Sequence, residues 1–390
     1  MSPQPPAARR PSWSLAGGRV LADGRLDAAT LTLAEGRIAD GAGATDRRFD
    51  ATDLLVLPGI VDVHGDAFER QLMPRPGVGF DLATALFDTD RQMLANGITT
   101  AFHGVTWSWE PGLRGAENAR ALLDALETLG PDLLVDTRYH LRHETYNLDG
   151  EAEILEWIAA RRIGCLAFND HTTGMAKYRG KPEKLAKMIE RSGLDPRDFL
   201  ALVEDVHARE PAVAPSVERL AAAAREASIP MLSHDDMSPD MRRWYRGLGV
   251  AVAEFPIDEP TAREAVAMGE ATVFGAPNVV RGGSHTGCPA AADMVAKDLC
   301  AILASDYFYP ALAAAPFRLA ADGVRPIETA WDLVSANPAR AFGLDDRGRL
   351  DDGLRADVIA VEARPGRPPR VVATFVEGRL AHCADGARIG

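Results

Sequence analysis

The hydrophobic and polar positions along the chain fall into two textures. Residues 13–57 alternate short β-like runs with Gly and Asp turns, as in Gly18-Arg19-Val20-Leu21-Ala22 and Ala29-Thr30-Leu31-Thr32-Leu33. Residues 346–385 repeat the pattern, as in Ala356-Asp357-Val358-Ile359-Ala360-Val361. Alternation bounded by such turn residues is a hairpin signature. Neither end carries enough apolar residues for its own core, so the two are expected to pair into one small β-domain. Residues 58–345 read differently, with short apolar runs alternating with helical patterns. Strands are expected at Ile60–His64, Thr99–His103, Leu133–His140, Cys165–Asn169, Pro230–His234, Val250–Phe255, Ala271–Phe274 and Ala301–Ser305. Helices are expected at Asp81–Asn96, Ala116–Leu129, Pro182–Ser192, Val217–Ala227, Glu259–Met268 and Pro289–Leu299. Asp81 and Glu259 suit helix N-termini, and Gly97, Gly130 and Gly193 suit helix ends. Eight strands alternating with helices predict an α/β fold. The expected form is a (β/α)8 TIM-like barrel with a small β-sandwich domain built from both chain ends. An open doubly wound sheet is the competing arrangement, but no Gly-x-Gly-x-x-Gly follows the first strand.

Composition narrows the function classes. The 390 residues include 43 basic and 56 acidic side chains, for a net charge of −13. That acidity opposes nonspecific binding to nucleic acid or to an acidic membrane surface. It leaves room for an anionic substrate, since local arginines set the field in a cleft. Cys165, Cys288, Cys300 and Cys383 are scattered without Cys-x-x-Cys spacing, which argues against a disulfide framework or zinc ribbon. No apolar run has the length of a membrane span. The first dozen residues lack the apolar centre of a signal peptide, and a cytoplasmic protein is expected.

The chemistry gathers where strands finish, the face on which barrels place their active sites. Leu57-Pro58-Gly59-Ile60-Val61-Asp62-Val63-His64-Gly65-Asp66 leads the set. On a strand, His64 and Asp66 point to the same side, and imidazole with carboxylate suits a divalent cation. Other ends carry His103, His140-Leu141-Arg142-His143-Glu144, Asn169-Asp170-His171, Ser233-His234-Asp235-Asp236, Glu254 and Ser305-Asp306. One histidine on an apolar strand is ordinarily a satisfied core residue. Many such groups on one face call for an ion, because unpaired buried charge is costly.

At these residues the chain resembles the amidohydrolase superfamily of metal-dependent barrel hydrolases. The likeness includes the split β-domain and the closing segment Ser335-Ala336-Asn337-Pro338-Ala339-Arg340-Ala341. Within the superfamily it is similar to the diphosphatases that act on α-D-ribose 1-methylphosphonate 5-triphosphate in the carbon–phosphorus lyase pathway. The segments that carry this likeness include His64–Arg70 with Pro74–Val78, His140-Leu141-Arg142, Asp170-His171-Thr172, Glu254-Phe255-Pro256 and Gly275–Asn278. Ser233–Asp236, Arg281–His285 and Ala304–Tyr307 complete the set. The resemblance implies that His64, Asp66 and Asp306 hold one metal and that His234 serves a second. No lysine lies in Cys165–Asn169 to act as the bridging ligand, so Glu144 is expected to bridge, with His171 completing the second site. Zinc is expected, with manganese or iron as alternatives. The chain departs from the family pattern at Thr173, Met175 and Cys288, which bears on substrate identity more than on reaction type.

The implied reaction is hydrolysis that releases pyrophosphate, with Asp306 orienting water and accepting its proton. Phosphoryl transfer depends on charge neutralisation, and Arg70, Arg75, Arg142, Arg281 and His285 are candidates for that task. Lys177, Arg179 and Lys181 form a basic run after the fourth strand, read either as a phosphate grip or as a solvated face. His103 and His143 are candidates for orienting ligands, and Asp235 and Asp236 for orienting His234. The substrate class is a small anionic phosphorylated molecule, and a homodimer is expected. Two other readings stand beside this one. The first is C–N bond hydrolysis, by a deacetylase or deaminase on the same barrel. The second is a non-catalytic barrel, against which His64, Asp66, Glu144, His234 and Asp306 argue.

Overall fold

A computed structural model describes residues 10–39, 41, 43–75, 77–178, 182–284 and 287–390. The chain divides into two compact units. One contains the described residues through Val61, with Asp90–Thr100 and Leu312–Gly390. The other contains Asp62–Thr89 and Ala101–Ala311.

The first unit carries two sheets built from both chain ends. Leu55–Pro58 lies between Arg19–Ala22, its parallel neighbour, and Val358–Glu362, its antiparallel neighbour. Arg370–Val376 and Arg379–Cys383 extend that sheet to six strands. The four-stranded sheet is centred on Trp13–Ala16 and Leu31–Ala34. Their shared core includes Leu15, Phe49, Val56, Val358 and Phe375, all fully buried. Trp13 and Phe49 meet Phe375 edge-on at ring distances of 5.3 and 5.8 Å, an arrangement aromatic quadrupoles favour. Apolar side chains from one end of the sequence thus complete the core begun by the other, as the alternation at both ends predicts.

The eight-stranded sheet forms a (β/α)8 barrel. Its strands, in chain and spatial order, are Ile60–Gly65, Ile98–Trp107, Asp136–Glu144, Cys165–Asn169, Met231–His234, Val252–Glu254, Ala271–Gly275 and Ile302–Ala304. The first and eighth strands close it. Asp306 N donates to the His64 carbonyl at 2.9 Å and Asp66 N to the Asp306 carbonyl at 3.0 Å. Asp62 fastens the same seam, accepting from Ser305 N at 3.0 Å and Ser305 Oγ at 2.6 Å. The strands approach so closely that a Cβ on Gly65 would stand 2.7 Å from Asp62 Oδ2, so this position requires glycine.

Two differences from the sequence expectation matter for the site. The second and third strands run on to Trp107 and Glu144, which puts Arg142 and Glu144 within a strand rather than beyond it. Helix Pro239–Gly247 follows the fifth strand, where none is expected. Its buried face includes Arg242, which is fully enclosed and pairs with Asp236 and Glu270. A buried arginine reads as polar in the sequence and hides the apolar periodicity. Another unexpected helix, Pro196–His207, buries Phe199 and Val203 against Met175 and Leu185 and is capped by Asp195. Among the described residues no helix is long and apolar enough to cross a membrane. The four cysteines are free.

Candidate metal centre

Parallel register places a row of polar residues across neighbouring strands, Glu144 beside Asn169, Asn169 beside His234, and His234 beside Glu254. Side chains alternate along a strand, so His140, Arg142 and Glu144 share one face of the third strand and His143 takes the other. Two groups of ligand atoms lie within 4.8 Å of one another among the described residues. One is His64, Asp66 and Asp306, and the other is His64, His140 and Glu254. The first group has the His64, Asp66 and Asp306 membership expected from the sequence. The second brings in His140 and Glu254, which sequence reading left without a role. Their signal was their position at strand ends, shared with a dozen other polar residues.

Burial sets the electrostatics. His64 is held well below the usual imidazole pKa, first by burial and then by Arg142. Burial likewise brings His140 down to about 3. Both rings are therefore neutral near pH 7 and offer a lone pair, the form in which imidazole binds metal. Burial and then the neighbouring Asp66 push Asp306 up to about 7. Burial raises Asp62 to about 6, against its bonds from Ser305. Carboxylates crowded together in this way repel each other until a cation joins them. In the structure Arg142 supplies positive charge, with Nη1 3.6 Å from Asp66 Oδ2 and Nη2 2.8 Å from His234 Nε2. Gly104 of the second strand makes room, since a Cβ there would stand 3.3 Å from His64 Nε2 and 3.4 Å from Arg142 Cδ.

The strand ends carry backbone strain as well. Asp235, Phe255 and Asp306 follow the fifth, sixth and eighth strands with φ of 58°, 54° and 53°. Non-glycine residues rarely adopt this left-handed region, and such strain concentrates at functional sites.

Glu144 is placed differently. Its two oxygens accept from His171 N at 3.1 Å, Thr172 N at 3.2 Å, Thr172 Oγ1 at 2.8 Å and Asn169 Nδ2 at 3.0 Å. Burial pushes its pKa up, but these bonds and the His171 charge outweigh it and hold the carboxyl below its ordinary value. The His171 ring stands 3.5 Å from Glu144 and 2.8 Å from Asn169 Nδ2. Neither residue belongs to either ligand group.

The centre lies in a cavity of about 260 Å³ lined by His64, Asp66, Arg142, His171, His234 and Asp306, with Tyr307 and Cys288 among its other walls. Arg114 also lines it, fixed by Glu69 through two bonds of 3.2 Å. Sequence reading missed this arginine because it sits in a turn-rich loop with no motif. Arg70 lies over the Tyr307 ring at 5.8 Å, and Arg281 donates to the Tyr307 hydroxyl at 3.3 Å. Arg75 is exposed in a small turn closed by its bridge to Val78. His285, Arg179 and Lys181 lie outside the described residues. Lys177 is exposed at the end of helix Thr172–Lys177. Thr173 bonds Asp170, and Met175 is buried in the small core beneath that helix. His103 packs on Phe68 at 4.8 Å, and His143 is fully buried with neither ring nitrogen hydrogen-bonded among the described residues. Burial lowers both rings to about 4. Asp235 Oδ2 lies 3.2 Å from His234 Nδ1, whereas Asp236 is occupied by Ser233 and Arg242.

The chain is 28% identical over 350 residues to the alpha-D-ribose 1-methylphosphonate 5-triphosphate diphosphatase of Escherichia coli (strain K12). The match covers 87% of this chain and 93% of that protein. Among solved structures, the fold is similar to that of an amidohydrolase, with a TM-score of 0.63, 16% identity and coverage of 96% and 100% of the two chains. It is also similar to a dihydropyrimidinase from Brevibacillus agri, with a TM-score of 0.60, 14% identity and coverage of 95% and 94%. An amidohydrolase from a Sargasso Sea sample aligns with a TM-score of 0.58, 16% identity and coverage of 96% and 93%. No family model matches the chain. The chain thus shares its fold with these solved structures along nearly its whole length.

Proposed function

We propose that the chain is a metal-dependent hydrolase that releases pyrophosphate from α-D-ribose 1-methylphosphonate 5-triphosphate. The observation that carries this reading is the 28% identity to the Escherichia coli diphosphatase over 87% of the chain. The grouping of His64, Asp66 and Asp306 supports the metal dependence. Neutral imidazole with two carboxylates fits a divalent cation such as zinc, manganese or iron. A cation there supplies a polarised water at neutral pH and charge for the phosphate oxygens.

The chain's own residues do the rest. Asp306 orients the attacking water and takes its proton as the oxygen bonds to phosphorus and the pyrophosphate oxygen leaves. Arg142 sits among the ligand groups and meets the phosphate under attack. The cavity of about 260 Å³ is smaller than a typical site for a drug-sized ligand, roughly 300–1,000 Å³. The distal phosphates of a triphosphate therefore extend to the rim, where Arg70 and Arg281 flank Tyr307. Guanidinium forks match phosphate oxygens two at a time. Glu144 and His171 would have to give up their present bonds to serve as metal ligands.

The test is pyrophosphate release from this triphosphate by purified protein, before chelation, after it, and after metal return. The reading expects activity lost and restored. Absence of pyrophosphate under all three conditions overturns it, and release of an amine or ammonia from amide substrates replaces it with C–N hydrolysis.

A further inference from the structure

We infer that Arg114 holds the methylphosphonate end of the substrate and so sets specificity for it. This rests on the proposed reaction and adds a residue to it. The substrate is anionic at both ends, with the triphosphate on one side of the ribose and the phosphonate ester on the other. Attack at the phosphorus nearest the ribose sends pyrophosphate one way and leaves the sugar on the other. The distal phosphates meet Arg70 and Arg281 beside Tyr307, and Arg142 meets the phosphate under attack. The phosphonate is then the one anionic group without a cation. Among the described residues two arginines line the cavity, Arg142 and Arg114. Arg114 is the one that the reaction has not used.

Arg114 is fixed in the loop between the second strand and helix Ala116–Leu129. Ser108 N donates to the Arg114 carbonyl at 2.8 Å, and Gly115 N donates to the Gly112 carbonyl at 2.9 Å. A Cβ on Gly115 would stand 2.9 Å from the Glu110 carbonyl oxygen, so this turn leaves no space for a side chain. The Arg114 side chain is 15% exposed and meets Glu69 side-on. Its Nε donates to Oε1 and its Nη2 to Oε2, both at 3.2 Å. A guanidinium carries five N–H bonds and can offer a fork on more than one edge. Glu69 takes the edge formed by Nε and Nη2. The other edge, formed by Nη1 and the second Nη2 hydrogen, bonds to none of the described residues. Arg114 lines the cavity and Glu69 does not, so the pair presents its arginine there. Two parallel N–H bonds match the two unesterified oxygens of a phosphonate ester. A fork held in place beforehand also spares the ordering cost of binding. Helix Glu69–Leu72 separates the two anion positions, because consecutive residues project roughly 100° apart on a helix. Glu69 reaches Arg114, and Arg70 reaches Tyr307. Glu69, Asp66 and Glu110 all lie in the field of Arg114. What Arg114 offers a ligand is therefore the shape of its free edge more than net charge, and a lysine does not replace it.

The test compares pyrophosphate release from the proposed triphosphate with release from ribose 5-triphosphate, which lacks the phosphonate, using zinc-loaded full-length protein. In the wild type kcat/KM is expected to favour the phosphonate-bearing compound. Arg114→Met is expected to lower that preference roughly 10–100-fold, the range for one charge-assisted contact. Arg114→Lys keeps a charge beside Glu69, loses the fork and is expected to lose the preference too. It carries the test if circular dichroism shows that Arg114→Met does not fold. Equal losses on both compounds would make Arg114 a structural tie and overturn the inference. So would a wild type without preference, or a preference that survives substitution. If the wild type releases pyrophosphate from neither compound, the proposed reaction fails. Calorimetric titration with methylphosphonate then decides the contact by itself. Binding weakened roughly tenfold or more in Arg114→Met supports it, and any smaller change overturns it.

Discussion

Glu144 and Glu254 are the same residue type, both buried, in the same row of barrel positions. Glu144 meets donors from His171, Thr172 and Asn169, which close both of its oxygens. Glu254 meets one donor, His64, and has an oxygen left open. The turn that starts helix Thr172–Lys177 aims its N–H groups at Glu144, whose carboxylate joins the third and fourth strand ends. Among the described residues no second donor reaches Glu254, whose other oxygen faces the His140 and His234 rings at 4.0 and 3.9 Å. A buried carboxylate oxygen that no donor reaches marks a candidate ligand, and residue type at a strand end does not supply that information.

The contrast can be broken in several places. The largest effect is expected at Asp306, an open carboxylate beside Asp66. Asp306→Asn is expected to lower kcat for pyrophosphate release by roughly 10²–10⁴-fold, the range for losing a general base. Steady-state kinetics with metal in excess would show it, and a loss below tenfold would contradict the assignment. Glu144→Gln is expected to cost about 1–3 kcal/mol of stability, because an amide cannot accept from all the donors aimed at it. Urea unfolding measures this. A lost metal ion with unchanged stability would instead make Glu144 a metal ligand.

Smaller effects sharpen the picture at the rim. Arg281→Ala is expected to raise KM roughly tenfold and leave kcat nearly unchanged, the pattern for lost uniform binding worth about 1.4 kcal/mol. An effect on kcat alone would move Arg281 from holding distal phosphates to the reacting centre. The smallest effect is on pH-dependent stability. Asp62 and Asp306 are raised in the folded chain to about 6 and about 7, from an ordinary 3.8. A raised carboxyl favours the fold while protonated, so this contribution is complete below about pH 4 and is lost as pH rises through 6 and 7. The metal-free protein should therefore lose these two contributions between about pH 4 and about pH 7. Asp306→Asn should flatten the upper part of that slope in melting curves. An unchanged slope would mean that Asp306 is not protonated in the metal-free protein.

Much of the fold was legible because it rests on local patterns. Eight apolar runs, seven of them ending in polar residues, mark the barrel strands, and Gly- and Asp-punctuated alternation marks the two ends that share Trp13, Phe49, Val358 and Phe375. The pairing of His64 with Asp66 follows from strand periodicity alone. Other features depend on contacts that sequence spacing cannot express. Arg242 looks exposed until Asp236 and Glu270 are brought around it. Arg114 has no motif, yet Glu69 turns it into the cavity wall. His140 and His143 are three residues apart on one strand and look equivalent, yet the pleat sends them to opposite faces. Glu254 was visible as a strand end, but its open oxygen becomes apparent only when its neighbours are placed around it.

The central claim is that barrel strand ends gather acceptor atoms around a divalent cation. Anomalous diffraction from crystals grown with zinc tests it most directly. The account predicts a peak about 2.0–2.2 Å from ligand atoms of His64, Asp66 and Asp306. With zinc in excess, no peak there, or a peak on Glu144 and His171 instead, would contradict it.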